Sequence, residues 1–319
     1  MARPTLFFLV GPTASGKTAV GIEAALRIGA EILSLDSMAV YRGMDIGTAK
    51  PTADERARVP HHLLDLAAPH EAFSTGRYLE AAEAAVADVA SRGRRPLFVG
   101  GTALYLKALT EGFFHGPAAD WPLRRSLIAE AEERGTPALH ERLRAVDPAA
   151  AARIHPNDLR RIVRALEVYQ ATGRPISEQQ TQFGRPSERH ECRIAGIRRE
   201  RSDLHERINR RVEAMFAAGL LDEVRRLLES PPGISHAAAQ FVGYREAIAH
   251  LRGKLSLPEA IEKVKARTRQ FAKRQLTWFR SFPQICWVDA GPASTAEALA
   301  ESVVSAFGLP CVDSSPPMP

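Results

Sequence analysis

The chain has few cysteines and no long apolar run, and each shortage excludes a class of protein. Its 319 residues include three cysteines, Cys192, Cys286 and Cys311, which are far apart and form no C-x-x-C pair. Neither a disulfide framework nor a zinc cluster is therefore expected. No apolar stretch approaches the ~20 residues of a membrane span, and Leu6–Val10 is too short for the core of a signal peptide. We expect a cytoplasmic protein that does not enter a membrane.

Lysine is also scarce, because 36 of the 43 basic side chains are arginine. The net charge is +6, and the segment 261–280 accounts for all of it, with one acidic residue, Glu262, against seven basic ones. The basic residues of this segment are Lys263, Lys265, Arg267, Arg269, Lys273, Arg274 and Arg280. Such a concentration of positive charge indicates a polyanionic partner, with nucleic acid the leading interpretation and a solvated basic surface the alternative.

The first 110 residues alternate short apolar runs with helical patterns, which is typical of βαβ units around a parallel sheet. The pattern predicts strands at 6–10, 32–35 and 97–99, helices at 17–28 and 74–92, and a helix that begins at Thr102. Further strands are predicted at 193–197 and 285–288, with nearly continuous helix over 203–280 between them. Ser256 and Glu259 form a capping box within that helical stretch, and Ser294 with Glu297 predicts the cap of a final helix.

The strand signal disappears from Trp121 to Tyr169, where apolar residues recur at helical spacing among arginines. This predicts an α/β protein with a helical subdomain inserted into a parallel sheet flanked by helices. We expect core residues at 1–119, the insertion at 120–190, the rest of the core at 191–310, and a disordered tail rich in Ser and Pro at 311–319.

A phosphate-binding loop follows the first predicted strand. It consists of Gly11, Pro12, Thr13, Ala14, Ser15, Gly16, Lys17 and Thr18, which match G-x4-G-K-[ST] between a strand and a helix. Loop N–H groups and the helix N-terminus bind phosphate oxygens, Lys17 adds a charge, and the Thr18 hydroxyl can ligate Mg²⁺. The loop recognises a diphosphate and not what is attached to it. The leaving group could therefore be a pyrophosphate rather than a nucleotide.

Two further candidates end the neighbouring strands. Asp36 follows the second strand, at the sheet edge where open α/β folds bind ligands, so it is expected to face the same crevice as Lys17. It is either a base, a support for Mg²⁺, or a plain loop carboxylate. Thr102 follows Gly100-Gly101, where no acid stands in a Walker B position, and it is either functional or a helix cap. The adjacent His61 and His62 favour a structural role over a metal site.

A helix over 261–280 would place an apolar stripe between two rows of cations. The stripe consists of Ile261, Val264, Phe271, Ala272 and Phe279. Gln275 and Trp278 add side chains that can hydrogen-bond phosphates or stack on bases, and Arg160, Arg161 and Arg164 form a second basic strip in the insertion.

Together these stretches resemble the bacterial tRNA dimethylallyltransferases, also called tRNA isopentenyltransferases. The stretches that carry the resemblance are GPTASGKT at 11–18, DSMAVYRGMDIGTAKP at 36–51, HHLLD at 61–65, PLFVGGTALY at 96–105, IHPNDLRRIVRALEVY at 154–169, RINRRVEAMFAAGLLDEV at 207–224, VGYRE at 242–246 and TRQFAKRQLTWFR at 268–280. Ala39 and Ala103 depart from the family pattern, which usually has Gln and Gly there.

The resemblance implies a P-loop NTPase-like core and a defined reaction. The dimethylallyl group of dimethylallyl diphosphate passes, with Mg²⁺, to N6 of the adenosine at position 37 in tRNAs that read codons beginning with U. Asp36 matches the general base, Thr102 matches a threonine beside the reacting amine, and Arg211 joins the P-loop in binding diphosphate. The partner is the tRNA anticodon stem-loop, and we expect a monomer. The residues that match tRNA-contacting positions are Asp36, Ser37, Met38, Ala39, Thr102, Arg124, Arg160, Arg161, Ile162, Val163, Arg164, Gln240, Gly243, Tyr244, Arg245, Lys273, Arg274, Gln275, Trp278 and Arg280.

Two other functions compete with this one. A small-molecule P-loop kinase would also place an acid after the second strand, but it does not need the basic segment 261–280. A nucleotide-controlled RNA-binding protein without enzymatic activity would leave Asp36 and Thr102 without a role.

Overall fold

The computed structural model describes residues 4–114, 116–180 and 190–309. The chain divides into two compact units, Met1–Thr110 with Glu188–Pro319, and Glu111–Ser187. The second unit overlaps most of the predicted insertion at 120–190, and the predicted disordered tail lies outside the described residues. Across the described ranges, no helix is both long and apolar enough to cross a membrane.

The first unit contains one sheet in which every neighbouring pair of strands is parallel. The strands are β1 (Leu6–Val10), β2 (Ala30–Leu35), β3 (His61–His62), β4 (Arg95–Gly100), β5 (Cys192–Arg199) and β6 (Ile285–Ala290), in the order β3-β2-β4-β1-β5-β6. The predicted parallel α/β core is confirmed. The sequence did not predict β3, because a two-residue edge strand is too short to show a periodic pattern.

Helices flank this sheet and continue after it. Those before the second unit are α1 (Lys17–Ile28), α2 (Ala53–Arg58), α3 (Thr75–Ser91) and α4 (Ala103–Glu111). Those after it are α10 (Arg201–Ala217), α11 (Leu220–Glu229), α12 (His236–Ala239), α13 (Tyr244–Leu251), α14 (Leu257–Phe279) and α15 (Ala296–Ala306). The capping box of Ser256 and Glu259 begins α14 as predicted. The predicted cap at Ser294 is wrong, because Thr295 caps α15 while Ser294 accepts a hydrogen bond from the Gly291 amide.

The core of the first unit lies on both faces of the sheet. On one face, Phe7 and Leu9 of β1 pack in a buried cluster with residues of α1 and α15 such as Ile22 and Val303. On the other face, Phe8 stacks on Phe98 of the adjacent β4, with ring centroids 4.9 Å apart. Because side chains alternate along a strand, the all-apolar run of β1 serves both layers.

The second unit is helical in its described part. Its helices are α5 (Trp121–Arg134), α6 (Thr136–Val146), α7 (Pro148–Arg153), α8 (Leu159–Thr172) and α9 (Ile176–Gln179). Asp147 and Asp158 cap α7 and α8 by accepting bonds from amides of the first turn. Leu139, Ile162 and Leu166 belong to its buried cluster, separate from the core of the sheet.

Candidate active site

A cavity of about 560 Å³ lies at the carboxyl edge of the sheet in the first unit. Its walls come mainly from the segments that follow β1, β2 and β4 and from helices α10 and α14. Lys17, Thr18, Asp36, Gly101, Arg211 and Gln275 all line it. Parallel strands bring their carboxyl ends to the same edge, so Lys17 after β1 and Asp36 after β2 share one crevice, as the sequence predicted.

Backbone geometry explains why the loop between β1 and α1 folds as it does. Gly11, Ala14 and Gly16 have positive φ angles of 153°, 64° and 96°. A Cβ at Gly11 would stand 2.8 Å from the Ile197 carbonyl oxygen of the adjacent β5, so this position requires glycine. Ala14 is a non-glycine residue in the left-handed region, a sparsely populated conformation that is enriched at binding and active sites.

Cations hold the carbonyl groups of this loop. Lys17 Nζ donates to the Pro12 carbonyl at 2.7 Å, Arg207 Nε to that of Ala14 at 2.9 Å, and Arg199 Nε to that of Ser15 at 2.9 Å. The start of α1 has no side-chain cap, so its first N–H groups are available to an anion. Ser15 Oγ is the one buried side-chain polar atom without a partner among the described residues. Both features suit a bound diphosphate.

Electrostatics links three charged groups in the cavity. Burial and the neighbouring Arg211 guanidinium lower the pKa of Lys17 to about 7, while the Asp36 carboxylate opposes that shift. Burial also lowers the pKa of Arg211, and Asp36 again opposes the shift. Two partly buried basic groups therefore lie close to each other with one carboxylate nearby, and this arrangement attracts an anion of high charge.

Asp36 and Thr102 occupy adjacent turns at the ends of β2 and β4. Asp36 Oδ1 accepts hydrogen bonds from the amides of Met38 at 2.8 Å and Ala39 at 3.4 Å. Thr102 Oγ1 accepts from the Ser37 amide at 3.0 Å. Its hydroxyl therefore joins the two turns and brings Thr102 next to the Asp36 segment.

The predicted histidine pair forms β3 at the edge of the sheet. His62 Nε2 lies 2.6 Å from Glu31 Oε2, and His61 Nδ1 lies 2.7 Å from the Val59 carbonyl oxygen. Burial lowers the pKa of His61. Within the described part of the chain, no group of three or more His, Cys, Asp or Glu residues is arranged to hold a metal ion.

Helix α14 uses part of its charge internally. Lys265 pairs with Glu213 at 2.7 Å, Arg269 Nη1 donates to Asn209 at 2.6 Å, and Arg267 pairs with Glu246. Lys263 and the three cations nearest the C-terminal end of the helix, Lys273, Arg274 and Arg280, are exposed. Trp278, which lies among Lys273, Arg274 and Arg280 in the sequence, is 40% exposed. Phe271 differs from the prediction, because it is 36% exposed and lines the cavity instead of the core.

Several of the residues predicted to contact RNA have buried side chains. The side chains of Ile162 and Val163 belong to the core of the second unit, and Tyr244 is fully buried with its hydroxyl donating to Glu223 at 2.6 Å. Gln275 is only 7% exposed and uses both ends of its amide inside the protein. These side chains face inward because they fill apolar or hydrogen-bonded sites, which spacing alone does not reveal.

The other residues predicted to contact RNA differ in their exposure. Arg124 forms two hydrogen bonds with the buried Glu167, at 2.8 and 2.9 Å, and Arg164 also pairs with that carboxylate. Arg160 and Arg161 are exposed on α8, as are Gln240 and Arg245 in the first unit. Ser37 and Met38 are half-buried, Ala39 is 5% exposed and Gly243 lines the cavity. Ala103, the other departure from the family pattern, is 4% exposed.

The sequence did not single out three residues that shape this site. Arg199 and Arg207 hold the loop carbonyls described above. The buried Glu223 carboxylate accepts from the amides of Asp45, Ile46 and Gly47, a segment that borders the cavity. Arg207 precedes Arg211 by one helical turn on α10, and that spacing was the available signal.

Comparison with known proteins gives a consistent result. A family model described as IPP transferase matches residues 39–282. A tRNA dimethylallyltransferase of Anaeromyxobacter dehalogenans is 50% identical over 298 residues, covering 93% of this chain and 98% of the relative. One of Geobacter metallireducens is 50% identical over 287 residues, covering 90% and 93%.

Two solved structures resemble the fold. The tRNA isopentenylpyrophosphate transferase of Bacillus halodurans has a TM-score of 0.70 and 39% identity, covering 96% of this chain and 97% of that one. A eukaryotic dimethylallyltransferase, described as acting on tRNA, has a TM-score of 0.78 and 27% identity, covering 98% and 81%.

Proposed function

Because the chain belongs to the IPP transferase family, we propose that it transfers the dimethylallyl group of dimethylallyl diphosphate to N6 of the adenosine at position 37 of tRNA. The observation that carries this proposal is that a carboxylate, Asp36, shares one cavity with Lys17 and Arg211 at the phosphate-binding loop. A diphosphate leaving group and a proton acceptor are the two requirements of this reaction.

The acceptor amine needs a base. The lone pair of an adenine amino group is delocalised into the ring, so a carboxylate that takes its proton supplies what the substrate lacks. Asp36 Oδ1 is held by two backbone amides, and we assign Oδ2 to the proton. The bond from N6 to the allylic carbon forms, the bond from that carbon to the bridging oxygen breaks with its electron pair on diphosphate, and the N6 proton passes to Asp36. We place the Thr102 hydroxyl next to the Asp36 segment, beside the reacting amine.

The leaving group needs positive charge. As the carbon–oxygen bond breaks, negative charge accumulates on diphosphate, and Lys17, Arg211 and the N–H groups at the start of α1 stabilise it. The donor set also suits Mg²⁺, which takes one or two protein ligands and completes its shell with phosphate oxygens and water. The Thr18 hydroxyl would hold that ion, and a bound ion would supply further charge to the leaving group.

The tRNA partner is assigned to exposed basic side chains in each unit. In the first unit these are Lys273, Arg274 and Arg280 with Trp278, and in the second they are Arg160 and Arg161. Proteins bind single-stranded RNA loops with cations that contact phosphates and with aromatic rings that stack on bases. The expected anticodon stem-loop specificity, monomeric state and cytoplasmic location stay predictions.

The test incubates the protein with dimethylallyl diphosphate, Mg²⁺ and an anticodon stem-loop RNA, followed by mass spectrometry of the nucleosides. We expect N6-(dimethylallyl)adenosine with adenosine at position 37 and none with guanosine there. Lys17→Ala should abolish the product at the same RNA concentration. No modified nucleoside, together with phosphate transfer from ATP to a metabolite, would support the kinase alternative and refute the proposal.

A further inference from the structure

The Gln275 side chain joins two loops that follow different strands. Its Oε1 accepts a hydrogen bond from the Thr13 amide of the phosphate-binding loop at 2.9 Å. Its Nε2 donates to the Gly101 carbonyl, after β4, at 2.8 Å. The amide is therefore used at both ends, and its 7% exposure keeps water from replacing either partner.

The end of the Gln275 side chain lies close to the Gly101 backbone. A Cβ at Gly101 would stand 2.4 Å from Gln275 Nε2, so a larger residue here would displace the end of the Gln275 side chain from its hydrogen bond with the Gly101 carbonyl. Glycine at this position therefore lets the Gln275 amide lie directly against the backbone of the loop that follows β4.

One further hydrogen bond extends the connection to the segment that contains the proposed base. Thr102 follows Gly101, and its hydroxyl accepts from the Ser37 amide at 3.0 Å, next to Asp36. On the other side, the loop that contains Thr13 continues to Lys17. Gln275 thus stands between the loop assigned to the leaving group and the turns assigned to proton transfer.

The same helix carries the exposed residues assigned to RNA. Arg274 precedes Gln275, and Trp278 follows it by three residues, both on the exposed part of α14. One rigid helix therefore presents RNA-facing side chains outward and the Gln275 amide inward, toward the donor loop.

We infer that Gln275 is a positioning residue that holds the donor loop and the Gly101–Thr102 loop at one distance from the RNA-binding helix. This inference rests on the proposed function for the identity of the two substrates. Group transfer depends on reacting atoms that lie about 3 to 3.5 Å apart in line, and a misplacement of about 1 Å can cost ~100-fold in rate. Gln275 contributes by alignment and does not touch the reacting atoms.

Two variants separate alignment from packing. Gln275→Met keeps the length and volume of the side chain but removes both hydrogen bonds, whereas Gln275→Asn keeps the amide but is too short to reach both loops. We expect both variants to lower the single-turnover transfer rate at saturating substrates by about 10-fold or more, with tRNA affinity within about twofold. Both should also weaken the binding of inorganic diphosphate several-fold. Gln284→Met, the same change at an exposed position that follows α14, should alter none of these quantities by more than about twofold.

The outcomes distinguish the inference from the proposed function. If Gln275→Met transfers the prenyl group at the wild-type rate and only Gln275→Asn is slow, the role is packing and the inference is wrong. If tRNA affinity falls in parallel with rate, Gln275 serves RNA binding and the inference is also wrong. If the wild-type protein does not modify tRNA, the proposed function fails, and diphosphate affinity decides alone: a several-fold loss in Gln275→Met supports the link between the loops, and equal affinity refutes it.

Discussion

Asp36→Asn tests whether the carboxylate accepts a proton or has a purely structural role. Asp36 Oδ1 accepts hydrogen bonds from the Met38 and Ala39 amides at 2.8 and 3.4 Å, and the carbonyl oxygen of an asparagine can accept the same two. The turn after β2 should therefore keep its shape. The substitution replaces the second oxygen by an NH₂ group, which cannot take the proton of N6.

The loss of a positioned general base typically costs ~10² to 10⁴ in rate. At 1.36 kcal/mol for each factor of ten, this corresponds to about 2.7 to 5.4 kcal/mol in the activation barrier. Asp36 also favours the charged form of Lys17, so donor affinity should weaken as well. Saturating donor removes that contribution from the measured rate.

The assay is single-turnover transfer by rapid quench, with tRNA affinity measured in parallel by filter binding. We expect the rate of Asp36→Asn to fall at least ~100-fold while tRNA affinity changes less than about threefold and the midpoint of the Mg²⁺ dependence stays in place. Asp36→Ala should be similarly slow. Transfer by Asp36→Asn within threefold of wild type, or rescue by excess Mg²⁺, would contradict the role of Asp36 as the base.

Three further predictions concern other parts of the molecule. Burial and Arg211 lower the pKa of Lys17 to about 7, so the Lys17 side chain loses its charge as pH rises through that value. The affinity for dimethylallyl diphosphate, measured by calorimetry, should therefore fall from pH 6.5 to 8. Lys17→Arg should flatten that dependence, and an equally steep one would show that Lys17 is not the titrating group. Replacement of Lys273 and Arg274 by Ala should weaken tRNA binding and reduce the slope of log K against log salt by at most about two phosphate contacts; an unchanged slope would mean that these cations do not contact RNA. Glu223→Ala leaves three backbone amides and the Tyr244 hydroxyl without their acceptor. Urea denaturation should therefore show a loss of about 3 kcal/mol in the free energy of unfolding, against little change for the exposed Glu229→Ala. Equal stability of the two variants would refute this account.

Much of the fold could be predicted because its signals are local. The apolar run Leu6–Val10 and the glycines and lysine that follow it lie within a few residues of each other, so a strand, a phosphate-binding loop and the start of α1 could be recognised from adjacent positions. The capping box at Ser256 and Glu259 is equally local. The placement of Asp36 with Lys17 followed from one general property of parallel sheets, that strand ends meet at one edge.

Tertiary structure decided what each polar side chain of the site contacts. Helical spacing placed Lys265, Arg269 and Lys273 in one row and Arg267 with Arg274 in another. Only the packing of α14 against other helices shows which of these side chains are paired inside the protein. The sequence shows that residue 275 is glutamine, but it does not show whether the side chain faces RNA or the protein interior. Its partners, Thr13 and Gly101, lie 262 and 174 residues away in the chain. Contacts between residues so far apart in the chain form only when the whole unit has folded. The G-x4-G-K-[ST] motif therefore predicts the chemistry of the loop, and the packed helices determine how that loop is held.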